Sequence, residues 1–273
     1  MGKKGKTGII VFVSNSSWGI LFFRSGLIKE FLSHGFIVKV LAPEDHYTRD
    51  LINAGVAFEA LNLSPCGKNP LKELNSFLQL YRLYRRIQPD LILHYTIKPN
   101  IYGSLAAYLS GIPSIAVVTG LGRLATFSGR LRPWLSKLYA WGLVFSREVW
   151  FLNDRDEAAF LEAGLLGAGK SFVLPGEGVD TNYFSPRDRV SSGAKEGLSF
   201  LFAGRLLWDK GLGELASAAK NLKLDFPELR IFLIGFVCPE HPAGVPMKQI
   251  RRWEKQGIFR YLGETRDVRP YLN

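Results

Sequence analysis

Apolar residues come in short runs, at 9–13, 37–42, 57–61, 91–95, 114–119, 149–153 and 172–174, each followed by a longer stretch of mixed character. Most of the runs are apolar at nearly every position rather than at alternate ones. A strand with one wet face alternates, so these runs predict strands buried on both faces, as in a parallel sheet covered by helices. The intervening stretches carry helical spacing. Leu71, Leu74, Leu78, Tyr81 and Tyr84 recur three and four positions apart and are expected to line one helix face. Strand then helix, repeated, predicts an α/β fold with a doubly wound sheet.

Near residue 186 the texture changes. SPRDRVSSGAKEG, 185–197, is polar and broken, and predicts a linker. The alternation then restarts, with strands expected at 198–203, 231–235 and 259–262 and helices from about Gly213 and through Trp253. A Rossmann-like half carries about five or six strands. The expected organisation is therefore a Rossmann-like domain over 1–186 and a second, incomplete one over 187–273.

Composition narrows the class. The 273 residues are 47% apolar, enough for a substantial core, and the 28 glycines and 14 prolines are scattered as turn formers. The formal charge of +11 predicts attraction to an anionic partner: phosphate groups, acidic lipid or nucleic acid. Cys66 and Cys238 lie far apart in unlike contexts, which suggests neither a disulfide framework nor a metal knuckle and fits a reducing compartment. Lys3, Lys4 and Lys6 ahead of the first apolar run imitate a signal peptide, but Ser14, Asn15, Ser16 and Ser17 cut that run short, as expected of a buried strand. No stretch approaches the ~20 apolar residues of a membrane span.

In open α/β sheets ligands bind beyond the carboxyl ends of the strands. Four segments fall there. SNSSWG, including Asn15 and Gly19, can turn tightly and aim backbone N–H groups at an anion, or can serve as an ordinary helix cap. HYTIKPNIYGS places Lys98 and Asn100 around Pro99 at a helix start. TGLGRL offers Gly120 and Gly122 for close approach of a ligand to the backbone, with Arg123 adding a cation. FAGRLLWDKGLGE sets Gly204, Arg205 and Lys210 between a strand and a helix, an arrangement suited to a diphosphate. Neither GxGxxG nor GxxxxGK[ST] occurs, so a dinucleotide fingerprint and a Walker loop are both absent.

Between 123 and 147 there are five basic residues and no acidic one, interleaved with Trp134, Leu138 and Trp141. Such a helix can lie on an anionic bilayer, or its apolar side can be core. No zinc-finger or RNP-type pattern is present, so nucleic acid is not an expected partner.

Taken in order, FFRSGLIKEFLSHGFIVKVLAP, YTIKPNIYGSLAA, VVTGLGRL, VWFLNDRDEAAF, LPGEGVDTNYFSP, FAGRLLWDKGLGE and YLGETRDVRPYL cover nearly the whole chain. The sequence resembles the bacterial GT-B glycosyltransferases of the GT4 type, especially those that add sugars to lipid-linked intermediates in surface polysaccharide or glycan assembly. The resemblance implies two Rossmann-like domains facing a cleft, a UDP-linked nucleotide-sugar donor on the C-terminal side and a lipid-linked or glycan acceptor on the N-terminal side. It implies that Arg205 and Lys210 bind the donor diphosphate and stabilise its departing charge, that no metal or other cofactor is needed, and that the anomeric configuration is retained. Asn15 and Gly19 would border the donor phosphates or the acceptor, Gly204 would lie at the donor site, Glu177 and Gly178 would lie near the cleft, and Lys98, Asn100, Gly120, Gly122 and Arg123 would line the acceptor side. Thr119 stands where many relatives carry a histidine, so no catalytic histidine is assigned. The family's paired glutamates are expected beyond Leu272, which is a further reason to expect a truncated second domain. The implied location is cytoplasmic, peripheral on the inner face of the cytoplasmic membrane. A non-catalytic remnant or membrane-associated binding module, and a sugar-nucleotide epimerase of the same architecture, are the alternatives.

Overall fold

The computed structural model describes residues 7–63, 70–120, 131–167, 169–185, 198–239 and 241–272. The chain divides into two compact units, Met1–Asp180 and Thr181–Asn273. The division falls ahead of the expected linker, of which 186–197 lies outside the described residues.

The first unit is built on a seven-stranded sheet. Its strands are β1 Ile9–Val13, β2 Ile37–Ala42, β3 Ala57–Ala60, β4 Leu91–Tyr95, β5 Ser114–Val118, β6 Glu148–Phe151 and β7 Ser171–Val173. They run in the order β3-β2-β1-β4-β5-β6-β7, and every pairing is parallel. Helices α1 Ser17–Ser33, α2 Thr48–Asn53, α3 Pro70–Ile87, α4 Ser104–Leu109, α5 Leu131–Val144 and α6 Asp154–Glu162 connect them, with a π-helical turn, Pro99–Gly103, leading into α4. Successive residues of β1 enter different cores: Ile10 and Phe12 pack in one cluster with Val38, Val40 and Tyr95, while Val11 and Val13 pack in another with Leu41, Leu80 and Tyr84. Both faces of the strand are dry, which is why its sequence does not alternate.

Helix α3 packs with a face that overlaps the expected one only at Tyr84 and, in part, Tyr81. Leu71 and Leu74 are 77% and 54% exposed. The buried stripe runs instead through Ser76, Leu80, Leu83, Tyr84 and Ile87. The helix carries two apolar stripes, and spacing alone does not say which one the sheet selects.

The second unit has a three-stranded parallel sheet, β8 Ser199–Ala203, β9 Arg230–Ile234 and β10 Arg260–Tyr261, in the order β10-β9-β8. A 3-10 turn, Trp208–Lys210, leads into α7 Leu212–Asp225, and α8 Met247–Lys255 precedes β10. The core gathers Leu206, Leu212, Ala216, Ile231, Leu233, Ile250 and Phe259 around Trp253, whose ring meets Trp208 at 5.6 Å and Phe259 at 5.3 Å. Both units are therefore α/β, with helices packed on parallel sheets.

Candidate functional site

In the first unit, strand order reverses between β1 and β4, so the carboxyl ends of these two strands flank a switch point. The turn after β1 is closed rather than open. Ser16 is the N-cap of α1, and its side chain accepts a hydrogen bond from the Gly19 N–H at 3.2 Å. One Asp45 carboxylate oxygen accepts from the Ser17 N–H at 3.0 Å and from the Trp18 N–H at 3.2 Å. The anion at this helix end is thus a side chain of the protein itself. Asn15 and Gly19 belong to a capped turn, and the first-turn donors expected to meet phosphate are already engaged.

The segment after β4 also turns inward. His94 is fully buried, its Nε2 2.9 Å from the Tyr84 hydroxyl and its Nδ1 3.4 Å from the Ser104 hydroxyl. Burial lowers its pKa to about 3, so the imidazole is neutral. Asn100 is fully buried and donates through Nδ2 to the Val117 carbonyl at 3.0 Å and to the Tyr139 hydroxyl at 2.7 Å. The Lys98 ammonium is paired with Glu73. Asn100 thus ties the π-helical turn to β5 and α5, and the Lys98 charge is balanced within the unit.

Thr96 follows β4 at φ +75, a left-handed conformation unusual for a β-branched residue. Its hydroxyl oxygen is buried and has no hydrogen-bond partner among the described residues. One residue earlier, the Tyr95 ring lies 4.3 Å from the guanidinium carbon of Arg24. Arg24 comes from the middle of α1, and its two terminal nitrogens donate to the two carboxylate oxygens of Glu177. Burial raises the Tyr95 phenol to about 12, with the Arg24 charge opposing and the Glu177 charge adding to the shift. Glu177 sits between Gly176 at φ +81 and Gly178 at φ +73. After β5, Thr119 is exposed and Gly120 adopts φ +127. Gly122 and Arg123 lie outside the described residues.

The second unit presents a different kind of strand end. Gly204 follows β8, Gly235 follows β9, and Gly263 lies just beyond β10. The Gly204 N–H donates to the Ile234 carbonyl at 3.0 Å, and the Gly235 N–H to the Gly263 carbonyl at 2.9 Å. A Cβ on Gly235 would sit 2.0 Å from the Gly204 carbonyl oxygen, so the two backbones touch. Arg205 and Lys210 are exposed, and neither forms an ion pair among the described residues. Gly211 begins α7 in a left-handed conformation without a side-chain cap. Two cations without an ion pair among the described residues, with Asp209 between them in the chain and Glu214 in the first turn of α7, therefore stand by a helix N-terminus that has no side-chain cap and by glycines at the strand ends, which suits a diphosphate.

The basic stripe is divided between core and surface. Tyr139 is buried and Leu138 packs against the core, whereas Trp141 and Val144 are exposed. Phe145 brings Trp141 and Tyr108 together, with ring centroids at 4.9 and 5.3 Å. The Trp134 side chain is outside the described residues. Among the described residues no helix is long and apolar enough to cross a membrane, and no cluster of His, Cys, Asp or Glu is fit to hold a metal ion.

Sequence reasoning missed Arg24, Tyr95, Thr96, Gly235 and Gly263. One signal was available for the first group: a glutamate bracketed by glycines, GEG, at 176–178. Its arginine partner is too distant in the chain for any local pattern to reveal it.

The family profile for glycosyl transferase 4-like proteins matches residues 9–153, more than half of the chain. The N,N'-diacetylbacillosaminyl-diphospho-undecaprenol alpha-1,3-N-acetylgalactosaminyltransferase of Campylobacter jejuni is 28% identical over 274 residues, covering 95% of this chain and 70% of that protein. The UDP-Gal:alpha-D-GlcNAc-diphosphoundecaprenol alpha-1,3-galactosyltransferase of Escherichia coli is 25% identical over 164 residues, covering 56% of this chain and 41% of that protein. Among solved structures, Anabaena HepE in complex with UDP and glucose superimposes with a TM-score of 0.73 at 18% identity, over 96% of this chain and 71% of that one.

Proposed function

The chain belongs to the glycosyl transferase 4-like family and is a glycosyltransferase of the GT-B type, and from that membership we propose that it moves a sugar from a UDP-linked donor to an acceptor borne on a polyprenyl diphosphate. The observation that carries the donor half is the pair of exposed cations, Arg205 and Lys210, which form no ion pair among the described residues, beside Gly204 and the start of α7, which has no side-chain cap. Charge accumulates on the β-phosphate oxygens as the glycosidic bond to the donor breaks. Cations at that position stabilise the charge on the leaving group. Protein cations in this role make a metal ion unnecessary, and attack from the face that the nucleotide leaves would retain the anomeric configuration.

The acceptor half is assigned to the first unit. The acceptors named for the two curated relatives, both diphosphoundecaprenols, support a lipid-linked acceptor here. Gly120 supplies backbone that an acceptor can approach closely, and Gly122 and Arg123 are assigned to the same side from the sequence alone. Lys98 and Asn100 contribute by holding the turn after β4 in place, through Glu73, Val117 and Tyr139. A lipid-linked acceptor also requires a membrane. Tyr108, Leu109, Trp141 and Val144 are exposed beside the basic residues Lys137 and Arg147, a surface suited to peripheral contact with the anionic inner face of the cytoplasmic membrane.

Calorimetry with UDP tests the donor assignment. Arg205→Ala and Lys210→Ala should each weaken binding by ~1.5–3 kcal/mol, the scale of a lost hydrogen bond to a charged group. Wild-type UDP affinity in both variants contradicts it. The anomeric configuration of the new linkage, read by NMR of the product, tests retention.

A further inference from the structure

We propose that Tyr261 is a positioning residue for the donor: its hydroxyl holds Gly235 against Gly204, and so fixes the backbone that carries Arg205. This role rests on the reading of Arg205 as a ligand of the donor diphosphate.

Arg205 stands on a continuation of β8 that runs alongside the chain leaving β9. The Gly204 N–H donates to the Ile234 carbonyl at 3.0 Å and the Leu206 N–H to the Phe236 carbonyl at 2.9 Å, and Leu206 pairs with Val237 in a parallel bridge. Leu206 is fully buried, while Arg205, one residue before it, is exposed. The place from which the guanidinium projects is therefore set by the segment 234–237 beside it. That segment contains Gly235 at φ +141, where a Cβ would lie 2.0 Å from the Gly204 carbonyl oxygen. The close approach demands glycine, and glycine leaves the chain more conformational freedom than any other residue. A turn that must hold a cation in one place then needs a restraint from a neighbouring element.

Tyr261 supplies that restraint. Its hydroxyl donates to the Gly235 carbonyl at 3.0 Å. The residue is itself held at its base. It pairs with Leu233 in the β10–β9 ladder, its N–H donates to Glu254 Oε1 at 3.0 Å, and its ring packs against the core around Trp253. Burial raises the phenol above its ordinary pKa and Glu264 adds to the shift, so the hydroxyl keeps its proton at neutral pH and remains a donor. A phenylalanine would take the same place in the strand and the core. What the hydroxyl adds is the bond to Gly235, the residue whose backbone touches the turn before Arg205.

Calorimetry with UDP on the full chain tests this, comparing Tyr261→Phe, Arg205→Ala and the double variant, with melting temperatures to confirm folding. Tyr261→Phe removes one hydrogen bond and should weaken UDP binding about fivefold. Because the hydroxyl acts through Arg205, the same substitution should change affinity less than about twofold in the Arg205→Ala background, whereas a merely structural role gives the same loss in both. Amide hydrogen exchange gives a readout without ligand: the Gly204 and Gly235 N–H groups should exchange faster in Tyr261→Phe than in wild type, relative to the amides of α7. Unchanged UDP affinity in folded Tyr261→Phe, an equal loss in both backgrounds, or unchanged exchange at Gly204 and Gly235 overturns the positioning role and leaves the donor reading standing. No UDP binding by the wild type, or wild-type affinity in Arg205→Ala, overturns the donor reading and the positioning role with it.

Discussion

Arg24 and Glu177, 153 positions apart in the chain, meet in a two-pronged ion pair whose side chains are only 8% and 19% exposed. The pair joins α1 to the segment after β7, at opposite ends of the sequence of the first unit. Removing one partner leaves the other charged and poorly hydrated, which costs more than the pair contributes. Arg24→Met should therefore destabilise the protein by ~3 kcal/mol, the low end for a broken buried pair because Glu177 keeps some solvent. The double variant Arg24→Met/Glu177→Gln removes both charges and should regain part of that loss. Thermal and urea denaturation check this; a double variant no more stable than Arg24→Met contradicts it.

Gly235 and Gly263 separate steric overlap from backbone strain. Both have positive φ, +141 and +84. A Cβ on Gly263 meets nothing within 4 Å, whereas one on Gly235 lands 2.0 Å from the Gly204 carbonyl oxygen. Gly263→Ala should cost about 1–2 kcal/mol, the price of a left-handed conformation alone. Gly235→Ala should cost distinctly more, because β8 and β9 must part at their carboxyl ends. Melting temperatures rank the two, and equal losses would contradict the close approach. Gly235→Ala should also weaken UDP binding, through displacement of Gly204 and its neighbour Arg205.

The strands were legible because burial on both faces leaves a continuous apolar signature. Runs at 9–13, 37–42 and 91–95 coincide with β1, β2 and β4 to the residue. The helix face at α3 was not legible, since two stripes compete and the sheet that chooses between them is assembled from distant segments. The site divides the same way. Gly204, Arg205, Lys210 and Gly211 form one local motif, so their chemistry reads directly off the chain. Asp45 filling the start of α1, Asn100 turned into the core and Arg24 bound to Glu177 are all tertiary facts. Spacing carries no trace of which polar residue finds an internal partner first.

Attachment to an anionic membrane should depend on both parts of the α4–α5 surface. Trp141 is 48% exposed and Tyr108 62% exposed, and Lys137 and Arg147 are exposed with them. Flotation with phosphatidylglycerol-containing liposomes at low ionic strength should recover the protein in the lipid fraction. Raising salt to about 1 M shortens the screening length to roughly 3 Å and should release most of it. Trp141→Ala/Tyr108→Ala should weaken flotation at low salt; melting temperatures measured alongside separate this from the stability lost with the contacts of both rings to Phe145. Recovery of the wild type entirely in the lipid-free fraction at low salt contradicts the membrane assignment.

His94 should make the first unit sensitive to mild acid. Its imidazole is neutral in the folded state because burial among Tyr84, Ser104 and Gly103 lowers its pKa to about 3. In the unfolded chain it titrates near 6.5, the ordinary histidine value. A depressed folded pKa means that the unfolded state binds more protons between those two values, so stability falls as pH falls through that window and is unaffected by this group above it. The slope from one such group is at most ~1.4 kcal/mol per pH unit. His94→Gln keeps a polar side chain but cannot titrate. It should lower stability at pH 7.5, where the Tyr84 and Ser104 contacts are disturbed, and should flatten the decline between pH 6.5 and about 4.5. The measurement is the difference in unfolding free energy between wild type and variant across that range, in which carboxylates common to both cancel. A difference that does not change with pH would mean that His94 is protonated in the folded state, or reaches water before the protein unfolds.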